Sequence, residues 1–98
     1  MEETINMVTA EVLVDVSLER EKQDNKWGEQ NHDPYLWLAI LGEEVGEANQ
    51  AALKAQGDGH SKTWDKEKLR HLREELVQVA AVAVSFIECL DRDNWGRI

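Results

Sequence analysis

The sequence predicts an all-α fold, an antiparallel bundle of three to four helices per chain whose core is completed by oligomerisation. Three observations lead there. Helix breakers are scarce, with one proline, Pro34, and six glycines in 98 residues. Apolar residues recur at spacings of three and four, which gathers them on one side of a helix. No useful length of chain alternates apolar and polar residues as a half-buried strand does. The length suits one domain spanning residues 1–98. A charged share of 32% beside a hydrophobic share of 42% marks a globular chain rather than a disordered one.

The first helix is expected over about residues 3–26, with Val8, Val12, Leu13 and Val16 as its apolar stripe. Gly28 is its natural stop. The polar segment Glu29-Gln30-Asn31-His32 then forms a loop. Asp33-Pro34 starts the second helix, because Asp33 can cap free N–H groups and Pro34 suits the first helical position. This helix is expected to run to about residue 56, where Gly57 ends it, on a stripe of Leu36, Ile40, Leu41, Ala48, Ala51 and Ala52. The third helix begins near Thr63 or Asp65 and continues to about Asp91. Asp65 and Glu67 suit the positive end of its dipole. The nearly apolar run from Leu76 to Ile87 is broken by Gln78 and Ser85, so it reads as a buried helix and is too short to span a membrane.

A domain this small buries only a modest part of its surface, so three helices leave apolar area for copies of the chain to cover. The formal charge of −9 opposes binding to nucleic-acid polymers and to anionic membranes. A small phosphorylated molecule remains compatible with it if a divalent cation bridges the two sets of negative charge. The single cysteine, Cys89, allows no intrachain disulfide. The acidic start, Met1-Glu2-Glu3-Thr4, lacks the pattern of a secretory leader, so a cytoplasmic setting is expected.

The chemistry is carried by two acidic clusters. Glu44 and Glu47 are neighbours at i, i+3, and Glu43 and Glu47 at i, i+4. The third helix echoes them with Glu75 and Gln78 at i, i+3, beside Glu74. In an antiparallel pair these clusters can face each other, and their oxygens can converge on Mg²⁺ or Mn²⁺. Glu-rich helix surfaces are common without any ion. Two details favour a site. Gly46 stands inside the cluster, where glycine costs a helix roughly 1 kcal/mol relative to alanine, as though another helix or a phosphate came close. The second cluster abuts the most apolar stretch of the chain, where an unpaired carboxylate is costly.

In order and spacing, the segments Glu19-Arg20-x-x-Gln23, Lys26-Trp27-Gly28, His32-Asp33, Trp37-Leu38, Glu43-Glu44-x-x-Glu47-Ala48 and Glu74-Glu75-x-x-Gln78 resemble the MazG-like nucleotide pyrophosphohydrolases of the all-α NTP pyrophosphatase group. The resemblance spans roughly residues 19–92. The family's Glu-x-x-Glu and Glu-x-x-Asp pattern falls on Glu44, Glu47, Glu75 and Gln78, with glutamine replacing aspartate at the last place. The resemblance implies Mg²⁺-dependent hydrolysis of a nucleoside triphosphate between the α and β phosphates, giving a monophosphate and pyrophosphate. It also implies a homo-oligomer, a tetramer before a dimer, and a role in clearing nucleotides. Glu43 or Glu44 is the candidate general base.

Trp27 and Trp37 flank the loop, and either can stack on a nucleobase or anchor the helix corner. Gln23 and His32 can hydrogen-bond a base or phosphate, and Lys26 and Lys54 can meet phosphate, although lone lysines are usually solvated. His60, His71, Trp64 and Trp95 read as surface or packing residues, and Cys89 as a small core residue. A di-iron bundle needs Glu-x-x-His on two helices, and the one instance, Glu29 to His32, lies in the expected loop. A zinc site from His32, His60, His71 and Cys89 lacks paired spacing. The main alternative is a non-catalytic helical module that oligomerises or binds a nucleotide without turnover.

Overall fold

The computed structural model describes residues 6–56 and 63–92. These form three helices, α1 (Met7–Trp27), α2 (Pro34–Ala55) and α3 (Lys66–Arg92), with no strand among the described residues. The all-helical expectation holds. No helix among them is long and apolar enough to cross a membrane.

Local chemistry sets the helix ends. The Asn6 side chain accepts the Val8 N–H at 2.8 Å, with Asn6 outside helical geometry at ψ 139°, so α1 begins at Met7 rather than near residue 3. Gly28 takes φ 73°, a left-handed conformation in which side chains are strained, while its N–H donates to the Asp24 carbonyl. The Asp33 carboxylate accepts the Leu36 N–H at 3.0 Å ahead of Pro34. Asp65 caps α3 by accepting the N–H groups of Glu67 and Lys68. The expected stop at Gly57, together with His60 and Trp95, lies outside the described residues.

α3 is the central element, and both other helices pack on it while making no close backbone contact with each other. The start of α2 meets the end of α3, where Trp37 packs with Val82, Phe86 and Cys89. The end of α2 meets the start of α3, where the Asp65 N–H donates to the Ala55 carbonyl. The two therefore run antiparallel. α1 runs in the sense of α3, with Asp15 on Arg73 and Arg20 on Glu88. The loop between α1 and α2 is tied to the end of α3 by Arg92, which donates to the Gln30 carbonyl at 3.0 Å and the Asn31 side chain at 2.9 Å.

The core sits between α2 and α3. Trp37 is 1% exposed, and Ala48, Ala51, Ala55, Ala81 and Cys89 are buried with it. The small residues let the two helices approach, and burial of each large side chain contributes on the order of 2 kcal/mol. The stripe expected on α1 fares differently. Val16 is buried, but Val8 is 68% exposed and Leu13 is 51% exposed. α1 rests on α3 along a narrow seam, and much of its apolar surface is exposed among the described residues.

Candidate functional site

α2 and α3 bring the two acidic clusters together. Their antiparallel pairing places Glu44 and Glu47 of α2 beside Glu75 of α3, with one carboxylate oxygen from each within 4.8 Å of the others. Neighbouring ligands around an octahedral Mg²⁺ lie about 3 Å apart, so the three carboxylates are near one another without being at ligand spacing. Two of their atoms, Oε2 of Glu44 and Oε2 of Glu75, are buried and have no hydrogen-bond partner. A buried, unpaired carboxylate oxygen is costly, and a cation relieves that cost. The Glu44 carboxyl is pushed above its ordinary value, by burial first and then by the charges of Glu47, Glu75, Glu43 and Glu19.

The remaining residues of the clusters divide. Gln78 lines the same cavity as Glu44. Glu43 is exposed and acts on Glu44 by its charge. Gly46 brings no second helix close, because a Cβ built on it meets nothing within 4 Å beyond its own helix.

A cavity of 680 Å³ lies between the end of α1 and this cluster. Gln23, Lys26 and Trp27 line it from α1, and Glu44 and Gln78 from the other helices. Five residues singled out in the sequence thus share one cavity of ordinary ligand size. Trp27 is 62% exposed, and Lys26 Nζ sits 4.8 Å from its ring centre, so its own neighbour covers part of the ring. Trp37 belongs to the core, with Phe86 stacked on it at 5.7 Å and His32 against it at 4.9 Å. His32 is therefore held by packing, and its carbonyl accepts the Cys89 thiol at 3.6 Å. Lys54 is exposed in the last turn of α2, about 10 Å along the axis from Glu47 and away from the cavity.

No family model, curated protein or solved structure matches the chain. The chemistry of the site rests on its own side chains.

Three residues at the site, Glu19, Lys22 and His71, had no site role assigned from the sequence. Glu19 and Lys22 line the cavity from α1, and Glu19 adds its charge to the pressure on Glu44. Glu19 and Gln23 share a helix face at i, i+4, which ties Glu19 to the cavity only once α1 is placed against α3. His71 places Nε2 3.4 Å from Glu75 Oε1 and Nδ1 3.7 Å from Glu74 Oε2. Its spacing from Glu75, again i, i+4, carried that information. His71 thus adjoins the cluster, and Lys22 and Lys26 line the cavity beside it.

Proposed function

We propose that the chain is a cation-dependent nucleoside triphosphate pyrophosphohydrolase of the MazG-like kind, working in the cytoplasm as a homo-oligomer. One observation carries the reading: Glu44, Glu47 and Glu75 converge beside a 680 Å³ cavity, and two of their buried oxygens lack partners. Those three residues are the ligands for Mg²⁺ or Mn²⁺, and Gln78 lines the cavity that Glu44 also lines. When bound, the cation neutralises the triphosphate and polarises the phosphoryl group under attack.

The chain's own residues supply the rest. Glu43 or Glu44 accepts a proton from the attacking water, whose oxygen bonds to the α phosphorus as the bond to the β-phosphate oxygen breaks. Pyrophosphate leaves and a nucleoside monophosphate remains. Lys22 and Lys26 offset the phosphate charge at the mouth of the cavity. Without a cation, Glu44 and the four glutamates around it repel a triphosphate, so turnover should be absent in EDTA.

The test is pyrophosphate release from a panel of common and damaged nucleoside triphosphates, with and without Mg²⁺ or Mn²⁺. Glu44→Ala and Glu47→Ala should each lower kcat at least about a hundredfold, as loss of a group stabilising the transition state does. Full activity in both variants would sink the proposed site. Glu43→Gln set against Glu44→Gln separates base from ligand, because the ligand variant also loses cation affinity.

A further inference from the structure

α1 packs on α3 through the side that carries the buried Val16. At about 100° per residue, Met7, Val14 and Leu18 lie within about 20° of the opposite side. All three are more than half exposed, so helical geometry and burial agree. A helix with apolar residues on two opposite sides suits burial on both. Among the described residues α3 covers one of them, and α2 makes no close backbone contact with α1. The other is a seam spaced i, i+7, i+11, the repeat by which one helix packs along another.

The borders of this seam are charged in a self-complementary way. Glu11 and Lys22 are exposed on the same flank, about 40° and 60° from its middle. Within the chain Lys22 reaches Glu19 at 4.0 Å, the loose limit of an ion pair. The other flank carries Ala10, Ser17 and Glu21. When two copies of a helix pair antiparallel about a two-fold axis, like flanks meet. Glu11 of each copy then faces Lys22 of the other. The register that pairs them also sets Val14 opposite Leu18, to within one residue. A parallel pair in register would instead bring Glu11 against its own copy.

We propose that a second copy of the chain docks on this seam, α1 antiparallel to α1, with Val14 on Leu18 of the other copy and two Glu11–Lys22 pairs closing one flank. α3 of each copy lies on the far side of its own α1, so the two bodies do not collide. This rests on the homo-oligomer reading above and names the surface that makes one step of it. A contact one helix wide is small, so that step should reverse on dilution.

Sedimentation velocity of the full chain, from micromolar to near-millimolar concentration, tests it. Leu18→Ser should halve the largest mass that the wild type reaches. Glu11→Lys and Lys22→Glu should each raise the dissociation constant of that step about tenfold, because two attractions become two repulsions. Together they should return it to within about threefold of the wild type. Glu11→Lys is the sharper of the two. It lowers the net negative charge, which by itself tightens association between acidic chains. Direction is read by cross-linking, with Cys89 buried and out of the way. A mixture of Val14→Cys and Leu18→Cys chains should form a mixed disulfide. Met7→Cys chains should not, since their two thiols stand about 28 Å apart along the axis.

A wild type that stays a single chain at every concentration overturns this proposal and the homo-oligomer reading together, and leaves the seam to another partner. An oligomer that none of the α1 variants disturbs overturns the surface and keeps the oligomer. A double reversal that restores nothing, or a Met7→Cys disulfide, overturns the antiparallel pairing. If Leu18→Ser loses its helix content by circular dichroism, the charge reversals decide. Pyrophosphate release is read on the same samples, so failure of the hydrolase and failure of the pairing are separate results.

Discussion

Glu44 is where burial and charge oppose each other most directly. Its carboxyl is held above the ordinary 4.5 by burial and by four neighbouring glutamates. Between the ordinary value and the raised one, the folded chain keeps a proton that the unfolded chain releases. Stability therefore falls as pH rises through that window and stays lower above it. Glu44→Gln removes the penalty. In metal-free buffer near neutral pH the variant should melt above the wild type, and the gap should close as pH falls below the window. Mg²⁺ should raise the melting temperature of the wild type and leave the variant unmoved. A metal-free wild type more stable than Glu44→Gln at neutral pH would contradict this account. Gln78→Asp tests the same balance from the other side. The added charge should tighten Mg²⁺ about tenfold by calorimetry, since ligand charge tunes affinity, while lowering stability in EDTA. No change in Mg²⁺ affinity would place position 78 outside the cation's reach.

At the scale of the elements, α1 is secured by polar contacts more than by apolar ones. Arg20 is 12% exposed at its side chain and bridges to Glu88 of α3, with Gln23 and Asp24 as further acceptors. Arg20→Ala should cost about 1 kcal/mol, some 4–8 °C in melting temperature, and high salt should narrow the difference. Gly46 gives a second test. Among the described residues it meets no other helix, so Gly46→Ala should stabilise α2 by up to about 1 kcal/mol. A loss of stability instead would mean that something outside the chain approaches there. The sequence conveyed these elements unevenly. Gly28, Asp33-Pro34 and Asp65 are local signals, and the helices end or begin at them. The start of α1 was missed because periodicity ran past Asn6, whose cap is decided by one side-chain hydrogen bond. The convergence of Glu44, Glu47 and Glu75 was legible because i, i+3 spacing plus antiparallel pairing fixes it. The contribution of Glu19 was not, because the position of α1 against α3 depends on Arg20, Asp15 and their distant partners. Trp37 fell between the two: its burial was written in the apolar run, but its unpaired N–H appears only once its neighbours are in place.

At the scale of the whole molecule, the single chain is loosely filled. Its radius of gyration is 16.2 Å, against about 13 Å for a compact domain of this length. Met7, Val8, Leu13, Val14 and Leu18 of α1 are all more than half exposed. Under the oligomeric reading, light scattering should give a mass of two or four chains, and the melting temperature should rise with protein concentration. Leu13→Glu with Leu18→Glu should shift the population to smaller species; in a monomer each would change stability by less than about 0.5 kcal/mol. The topology also bears on timing. Since the α1 and α2 backbones each contact α3 and not each other, an opening of α1 about Gly28 would leave α2 and α3 paired. Glu19, Lys22, Gln23, Lys26 and Trp27 would leave with it, and Glu44, Glu47 and Glu75 would remain assembled. Under the proposed function, loading of the cation and admission of the larger guest would then be independent events, and amide exchange should be fast along α1 while the middle of α3 stays protected.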